Sequence, residues 1–135
     1  MMDLETFNKR LAGTLPALLG MRFVTLEPDR VVAELTIRDD LRTVGGALHG
    51  GTLMAFADTV GAAATIVNLA EGQFTTTLES KTNFFAAGRS GIVRGEATAL
   101  HKGRRTHVWQ TRVTDESGRM LSLTLQTQMV LEKTG

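Results

Sequence analysis

The chain of 135 residues carries a formal net charge of +1, and 42% of its residues are hydrophobic. This length suits one compact domain over residues 1–135, and the near-neutral charge provides no basic surface for nucleic acid. The absence of cysteine excludes disulfides and thiolate metal sites, and three scattered histidines argue against a zinc site.

The N-terminal third predicts a short helix followed by two strands. Residues 3–12 place Leu4, Phe7 and Leu11 at helical spacing, with Asp3 as the N-cap. The same residues mix positive and negative charges and show no secretory leader, so the cytoplasm is the expected location. The period then changes to that of strands at residues 21–26 and 30–37, and a polar loop follows at residues 39–46.

The longest apolar segment, residues 51–69, predicts a long helix with Gly72 as its C-terminal glycine. Asp58 and Asn68 interrupt the segment, and its glycine and alanine content argues against a membrane span. At 100° per residue its side chains divide into two stripes. The bulky stripe, expected to pack on a sheet, is Leu53, Phe56, Val60, Ala64 and Val67; the small-residue stripe is Gly51, Met54 or Ala55, Asp58, Ala62 and Thr65.

Four strands are predicted after the helix, and together they indicate an α+β fold. They cover residues 74–85, 91–102, 106–115 and 119–132, and the short turns between them predict an antiparallel meander. A mostly apolar helix must be buried, and a curved antiparallel sheet can bury it. The unpaired edge strands of such a sheet can pair with a second chain. In the last strand we expect one face to be buried: Leu121, Leu123, Leu125, Met129 and Leu131 alternate with Ser122, Thr124, Gln126 and Gln128.

Asp58 is unusual because an ionised carboxylate in an apolar segment must find hydrogen-bond donors, take up a proton or face a cavity. It is either a structural carboxylate, bonded to backbone amides or an arginine, or a functional one. Just before it, His49, Gly50 and Gly51 lie where a loop enters the helix. Free amides at a helix N-terminus suit a developing negative charge, as in an oxyanion hole, although a simple tight turn has the same composition.

The stretch GGALHGGTLMAFADTVGAAA, residues 45–64, resembles the loop and central helix of hotdog-fold acyl-CoA thioesterases of the type related to phenylacetic-acid degradation. The stretch TTTLESKTNFFAAG, residues 75–88, resembles the strand that follows that helix. The resemblance implies a single hotdog domain that hydrolyses an acyl-CoA or aryl-CoA thioester to acid and CoA. It implies no metal and no cofactor beyond the CoA of the substrate. It also implies dimers joined sheet edge to sheet edge, often assembled into homotetramers, with active sites fed by both chains.

The same resemblance implies roles for individual residues. Asp58 corresponds to the catalytic carboxylate, acting as general base or as nucleophile. Gly50 or Gly51 corresponds to the oxyanion donor through its backbone N–H, and His49 to the histidine that orients the thioester region. Thr77 falls where the family often places a hydroxyl near the reacting water, although a threonine also simply suits a strand.

Thr43 departs from the family pattern, in which Asn or Gln commonly stands six residues before the histidine. A threonine has one short hydroxyl, whereas an amide offers two hydrogen-bond donors and an acceptor. Thr43 therefore places in question the second hydrogen bond to the thioester carbonyl that the family makes. Cations near turns suit the phosphates of CoA, although they are equally typical of solvated turns. The candidate phosphate ligands are Arg89, Arg104 and Arg105.

Two other functions remain as alternatives to a thioesterase. A non-catalytic acyl-CoA-binding or regulatory hotdog protein is compatible with Thr43. A hotdog hydratase or dehydratase uses a different spacing of histidine and acid. In every case we expect a homo-oligomer with a small-molecule ligand and with neither nucleic acid nor membrane as partner. The acyl group is not determined by the sequence.

Overall fold

Six strands form one curved antiparallel sheet, and the longest helix packs against one of its faces. This arrangement is seen in a computed structural model that describes residues 2–134. It confirms the expected α+β fold with a sheet around one long helix. The helices are α1 (Leu4–Lys9), α2 (Leu15–Leu19) and α3 (Gly50–Ile66); the strands are β1 (Arg22–Glu27), β2 (Arg30–Thr36), β3 (Gln73–Phe84), β4 (Ile92–Lys102), β5 (Thr106–Thr114) and β6 (Met120–Glu132).

The N-terminal helix is fixed at its start and along its packed side. As predicted, Asp3 is the N-cap of α1, and its Oδ1 accepts a hydrogen bond from the Thr6 amide at 2.8 Å. The rings of Phe7 and Phe23 meet edge to face with centroids 4.9 Å apart. The Asn8 side chain also donates to the Phe23 carbonyl and accepts from its amide. These contacts attach α1 to β1.

Two short helical elements are not indicated by the apolar periodicity. Helix α2 carries Pro16 near its start and ends at Leu19, and its C-cap is Gly20, whose φ of 77° is left-handed. A 3-10 turn, Asp39–Leu41, lies inside the predicted loop of residues 39–46. Neither element spans two turns of helix, so neither is long enough to show a repeating pattern of apolar residues.

The strand order is β1-β2-β4-β5-β6-β3, which corrects the predicted four-strand meander. Strands β4, β5 and β6 do form a meander, but β3 pairs with β6, with Thr76 opposite Met129. Residues 85–91 are therefore a crossover and not a hairpin turn. Turn-forming residues favour a change of chain direction, but they do not determine which strand is paired next. As a result β3 lies at one edge of the sheet, and within residues 2–134 its outer edge has no partner strand.

The bulky stripe of α3 packs on the sheet as predicted. Leu53, Phe56, Val60 and Ala64 are at most 3% exposed, whereas Val67, just beyond the helix, is partly buried. Burial of such side chains contributes about 1.5–3 kcal/mol each for the larger ones, so this stripe carries much of the stability of the fold. No helix within residues 2–134 combines the length and hydropathy needed to cross a membrane.

The small-residue stripe of α3 is open along most of its length, with one exception. Gly51 and Met54 are exposed, and Asp58 is half-buried. Thr65, by contrast, is fully buried, because its hydroxyl accepts a hydrogen bond from Trp109 Nε1 at 2.8 Å. Thr65 therefore differs from Gly51 and Met54 on the same small-residue stripe, because it packs against β5 and is not exposed.

The expectation for the end of the helix also needs correction. Helix α3 ends at Ile66, with Val67 as a right-handed C-cap, and Gly72 adopts its φ of +83° in the turn before β3. Gly72 is therefore not the C-terminal glycine of the helix. Asn68 explains the earlier ending, because its side chain donates to the carbonyls of Ala64 and Pro28. The amide thus caps a carbonyl that would otherwise accept from a further turn of helix.

In β6 the buried face is the polar one. Ser122, Thr124, Gln126 and Gln128 are at most 2% exposed, whereas Leu125 on the opposite face is 41% exposed. Leu121 is also buried, since a register shift next to it places Val113 of β5 opposite Ser122. Buried polar side chains are usually hydrogen-bonded. In this row Thr124, Gln126 and Gln128 are bonded, whereas the Ser122 hydroxyl has no partner among residues 2–134. One of them, Gln126, contacts Asp58 on α3.

Candidate active site

His49 is the N-cap of α3, and its side chain folds back onto the first turn. Its Nδ1 accepts a hydrogen bond from the Gly51 amide at 2.7 Å. A Cβ at residue 51 would lie 3.0 Å from this Nδ1 and 3.2 Å from Cε1, closer than side-chain contacts normally allow. The absence of a side chain at position 51 therefore leaves room for the imidazole ring of His49. Because Nδ1 accepts, the proton of the neutral ring is on Nε2 and is available as a donor.

The Gly50 amide is one of two backbone donors that have no acceptor among residues 2–134 at this end of α3, the other being the Thr52 amide. The first amides of a helix have no partner inside it, and among residues 2–134 no backbone or side-chain acceptor bonds the Gly50 N–H. The ring of Phe84 lies close by, since a Cβ at residue 50 would be 3.3 Å from its Cε1 and Cζ atoms. Of the two glycines, Gly51 is thus bonded to His49, whereas Gly50 offers a free N–H beside an aromatic ring.

The loop before α3 is held in place by backbone contacts. The His49 amide donates to the Leu41 carbonyl at 2.9 Å. The Arg42 guanidinium donates to the carbonyl of Gly46 at 2.8 Å and also to the carbonyl of Arg89. These bonds orient the start of the helix before any ligand arrives, which is the condition for an effective oxyanion donor.

Asp58 lies on the small-residue stripe of α3, and one of its carboxylate oxygens is hydrogen-bonded. Its Oδ1 accepts hydrogen bonds from the Thr77 hydroxyl at 2.6 Å and from Gln126 Nε2 at 2.7 Å. Within residues 2–134, no lysine, arginine or histidine forms an ion pair with this carboxylate, and no protein donor bonds its Oδ2. Asp58 is therefore not the partner of a buried cation. Two neutral donors hold one oxygen, and the other is free.

A second layer of hydrogen bonds supports Thr77. Gln128 Nε2 donates to the Thr77 hydroxyl at 2.6 Å, so the hydroxyl proton is left for Asp58. The Thr75 hydroxyl has one proton, which two acceptors on β6 share: Gln128 Oε1 at 2.9 Å and the Met129 carbonyl at 2.8 Å. Strand β3 and strand β6 thus form one network that ends at the carboxylate. Thr77 does more than suit a strand, since its hydroxyl is committed to Asp58.

Gln126 and Gln128 are the site residues that sequence reasoning did not assign. Both belong to the alternating polar row of β6, which was visible as a pattern. The pattern alone does not show that this row faces α3, because the leucines opposite would ordinarily be taken as the inner face. The pairing of β3 with β6 places Gln128 opposite Thr77 and completes the site.

Within one chain, the Asp58 network and the helix N-terminus are separate. Asp58 follows Gly50 by eight positions along α3, which is a rise of about 12 Å at 1.5 Å per residue. A carbonyl oxygen bound by the Gly50 amide is thus too far from the Asp58 carboxylate of the same chain for that carboxylate to act on it. The structure brings together Asp58 with Thr77, and His49 with Gly50 and Gly51, as two groups.

Thr43 is engaged within its own loop. Its hydroxyl accepts from the Gly45 amide at 3.1 Å, and its backbone carbonyl accepts from the Gly46 amide at 3.0 Å. This is a local turn in which the side chain satisfies the backbone. The geometry does not bring Thr43 to Asp58.

The three candidate phosphate ligands lie at opposite ends of the molecule. Arg89 is next to the loop before α3, through the bond from Arg42 to its carbonyl. Arg104 and Arg105 lie in the turn between β4 and β5, adjacent to Lys102, whose Nζ is 3.5 Å from Asn68 Oδ1 beyond the other end of α3. Within one chain they do not form a cluster.

A comparison of families identifies the class of protein. Residues 45–122, more than half of the chain, match the model of the Thioesterase superfamily. The chain is 33% identical over 118 residues to the proofreading thioesterase EntH of Cronobacter turicensis, with 87% of this chain and 86% of that protein covered. It is 30% identical over 128 residues to the 1,4-dihydroxy-2-naphthoyl-CoA hydrolase of Escherichia coli, with 95% and 94% covered.

Solved structures agree with this result. The thioesterase HI1161 of Haemophilus influenzae has a TM-score of 0.95 and 27% identity, with 100% of this chain and 94% of that chain covered. The PaaI protein from the phenylacetic acid degradation operon of E. coli has a TM-score of 0.85 at 18% identity, with 96% and 92% covered, which shows a common fold alone. The chain therefore belongs to the thioesterase superfamily, and it is a thioester hydrolase with the hotdog fold.

Proposed function

We propose that this protein hydrolyses an acyl-CoA or aryl-CoA thioester to the free acid and CoA, without a metal ion or an organic cofactor. The observation that carries the proposal is the carboxylate of Asp58. It is held by two neutral donors on the open side of α3, and its Oδ2 is free to meet a ligand. The free Gly50 amide supplies the complementary feature, a donor for a negative charge on the carbonyl oxygen.

The chemistry follows from these groups in one of two ways. As a general base, Asp58 takes a proton from water, and the resulting hydroxide adds to the thioester carbonyl carbon. As a nucleophile, its Oδ2 adds to that carbon, and water later hydrolyses the mixed anhydride. In both cases the negative charge that forms on the carbonyl oxygen is stabilised by the Gly50 amide. The carbon–sulfur bond then breaks, and CoA leaves as a thiolate.

We propose that each active site takes Asp58 and Thr77 from one chain and the start of α3 from another. The support is the rise of about 12 Å between Gly50 and Asp58 along α3, which prevents both from meeting one carbonyl within a chain. The free edge of β3, which carries Thr77, provides a place for the second chain to join. A homo-oligomer, a dimer or a tetramer built from dimers, completes the site.

Three further features are part of the proposal: a CoA thioester as the substrate, arginines as ligands of its phosphates, and a role in phenylacetic-acid degradation. The naphthoyl-CoA hydrolase of E. coli, by its name, acts on an aryl-CoA, and its alignment covers nearly the whole chain. This favours a CoA thioester with an aryl or acyl group. For the phosphates of CoA we propose Arg89, since it adjoins the helix N-terminus, with Arg104 and Arg105 contributed from the far end of another chain. A role in phenylacetic-acid degradation rests on the sequence resemblance and a distant structural neighbour.

A second candidate function is binding of an acyl-CoA without turnover. The observation that favours it is Thr43, whose hydroxyl is already bonded to the Gly45 amide and supplies no second donor to a thioester. In that case the Asp58 network would orient a ligand but would release no thiol.

The test is release of free thiol from a panel of acyl-CoA and aryl-CoA thioesters. Asp58→Asn keeps the volume and an oxygen acceptor for Thr77 and Gln126, so the variant should fold with a loss of about 1–2 kcal/mol in unfolding free energy at most. Its turnover number should fall by about 10²-fold or more, since the base or nucleophile is lost. Asp29→Asn, the same change at an exposed carboxylate paired with Lys102, is the control and should keep wild-type turnover.

The outcomes separate the two functions. Thiol release by the wild type and the Asp29 variant, but not by a folded Asp58 variant, supports the hydrolase. A wild-type protein that binds CoA esters in calorimetry but releases no thiol from any of them supports the binding protein. Wild-type turnover in a folded Asp58→Asn variant contradicts the assignment of Asp58.

A further inference from the structure

Gln126 is a buried polar side chain aimed at the carboxylate of Asp58. It is 2% exposed, and its Nε2 lies 2.7 Å from Asp58 Oδ1 and 3.2 Å from the Asp58 carbonyl oxygen. One amide group thus contacts both the side chain and the backbone of the same residue. This double contact fixes the carboxylate relative to the helix axis.

Helix α3 leaves a space for this amide at Gly61. A Cβ on residue 61 would lie 1.7 Å from Gln126 Oε1 and 2.5 Å from its Cδ. No side chain at position 61 is compatible with the present position of the amide. The glycine in the middle of a helix, normally unfavourable, is thereby explained by the approach of Gln126.

The orientation of Gln126 leaves one of its own atoms unsatisfied. Its Oε1 is buried and has no hydrogen-bond partner among residues 2–134. Buried polar atoms normally find a partner, so an exception calls for an explanation. The explanation here is that the hydrogen bond from Nε2 to Asp58 determines the orientation of the amide. In this orientation Oε1 faces the helix at Gly61, where it finds no donor.

From these contacts we infer that Gln126 is a positioning residue for Asp58, and that it leaves Oδ2 as the reacting oxygen. Gln126 and Thr77 both donate to Oδ1, from β6 and β3 respectively, so the carboxylate is held in one orientation. The other oxygen then faces the open side of α3. This inference rests on the proposed hydrolase function and specifies how its carboxylate is aimed. Gln126 acts through Asp58 and does not itself touch the substrate.

The first test is Gln126→Leu, measured by thiol release under conditions in which the wild type is active. The variant removes the donor but keeps a side chain of similar size. Turnover number should fall about ten- to hundredfold, because the carboxylate is no longer held in one orientation. The Michaelis constant should stay within about twofold, because Gln126 makes no contact with substrate. Thr124→Val is the matched control on the same buried face of β6, since Thr124 bonds Thr82 and not Asp58; it should retain wild-type turnover.

The second test uses the space at Gly61 and separates positioning from packing. Gly61→Ala should displace the amide, lowering both the thermal midpoint and the turnover number. In the double variant Gly61→Ala with Gln126→Ala, the clash is gone, so the thermal midpoint should recover relative to Gly61→Ala alone. Turnover should not recover, because the Gln126 amide reaches Asp58 in neither protein and only the Thr77 hydroxyl still holds the carboxylate.

Each result has a definite reading. Low turnover with an unchanged Michaelis constant in Gln126→Leu, together with recovery of stability but not of turnover in the double variant, supports the inference. Wild-type turnover in folded Gln126→Leu overturns it, as does recovery of turnover in step with stability in the double variant. Failure of the proposed function would show differently, as a wild-type protein that releases no thiol at all.

Discussion

His107 is a buried histidine whose neutral form is well hydrogen-bonded. It is 7% exposed, and its Nδ1 lies 3.2 Å from the Thr65 hydroxyl oxygen. This oxygen accepts a hydrogen bond from Trp109 Nε1. The hydroxyl proton is therefore free to be donated to Nδ1. Burial is the main cause that lowers the pKa of His107 below its usual value of 6.5, and the nearby charge of Lys102 lowers it further. The folded state thus favours the neutral ring.

This shift predicts a loss of stability on acidification. Since the pKa of His107 is lowered by folding, the unfolded chain binds this proton more readily than the folded protein. The contribution is present above about pH 6.5 and is lost as the pH falls from there towards the lowered pKa of the folded protein. One proton changes the unfolding free energy by at most about 1.4 kcal/mol per pH unit. Urea denaturation between pH 5 and 8, about the range in which a histidine titrates, measures this slope.

The variant His107→Asn isolates the residue responsible. An amide occupies the position of Nδ1 but does not titrate, so the slope below about pH 6.5 should be smaller by up to one proton. His101→Asn, at an exposed position on β4, should reduce the acid sensitivity only in part, since the charge of His101 is one of the smaller causes that lower the pKa of His107. An unchanged slope in His107→Asn would show that other groups cause the acid sensitivity.

At the level of elements, the start of α3 combines a structural task with a proposed chemical one. The imidazole of His49 caps the helix through the Gly51 amide, and this leaves the Gly50 amide free. A cap of this kind contributes about 0.5–2 kcal/mol to stability. Because cap and oxyanion donor share one turn, a change that displaces the ring also moves the proposed donor.

Gly51→Ala tests this coupling. The new Cβ would meet His49 Nδ1 at 3.0 Å, so the ring must move and the cap is weakened. We expect a loss of about 1 kcal/mol in unfolding free energy and a fall in turnover of roughly ten- to hundredfold, measured by urea denaturation and thiol release. Gly45→Ala is the control in the same loop, since its Cβ would make an ordinary contact of 3.5 Å with Thr43 Oγ1. Equal effects of the two variants would contradict a special role for the helix start.

At the level of the whole molecule, the two halves of the proposed site lie on different parts of α3. One half is the helix start, and the other is Asp58 with its network to β3 and β6. Strand β3 also lies at the edge of the sheet, and it exposes Phe74 and Leu78. Together these features predict that the isolated chain is inactive and that an oligomer, at least a dimer, is the active species.

Mixing two impaired variants tests whether the site is shared. Asp58→Asn and Gly51→Ala each damage a different half, so a heterodimer of the two contains one intact site and one doubly damaged site. After unfolding and refolding together in equal amounts, random pairing should restore about a quarter of wild-type turnover. Sedimentation of the wild type at micromolar concentration should show a dimer or larger species. No recovery above the average of the two variants, or an active monomer, would place the complete site within one chain.

The sequence by itself determined the class of fold and predicted most residues of the candidate site. The bulky stripe of α3 and the strand boundaries follow from local periodicity, which depends only on neighbours along the chain. His49, Gly50 and Gly51 were identified because a loop entering a helix has a local signature. Asp58 was identified because a carboxylate in an apolar helix is unfavourable without partners.

Only the tertiary structure decided which strand pairs with β3 and which face of β6 is buried. Both depend on contacts between residues far apart in sequence, such as Gln128 with Thr77 and Gln126 with Asp58. Periodicity shows that β6 has an apolar and a polar face, but the polar face is the buried one, and Thr124, Gln126 and Gln128 find hydrogen-bond partners there. Burial of a polar side chain depends on its partners, and partners are supplied by the fold.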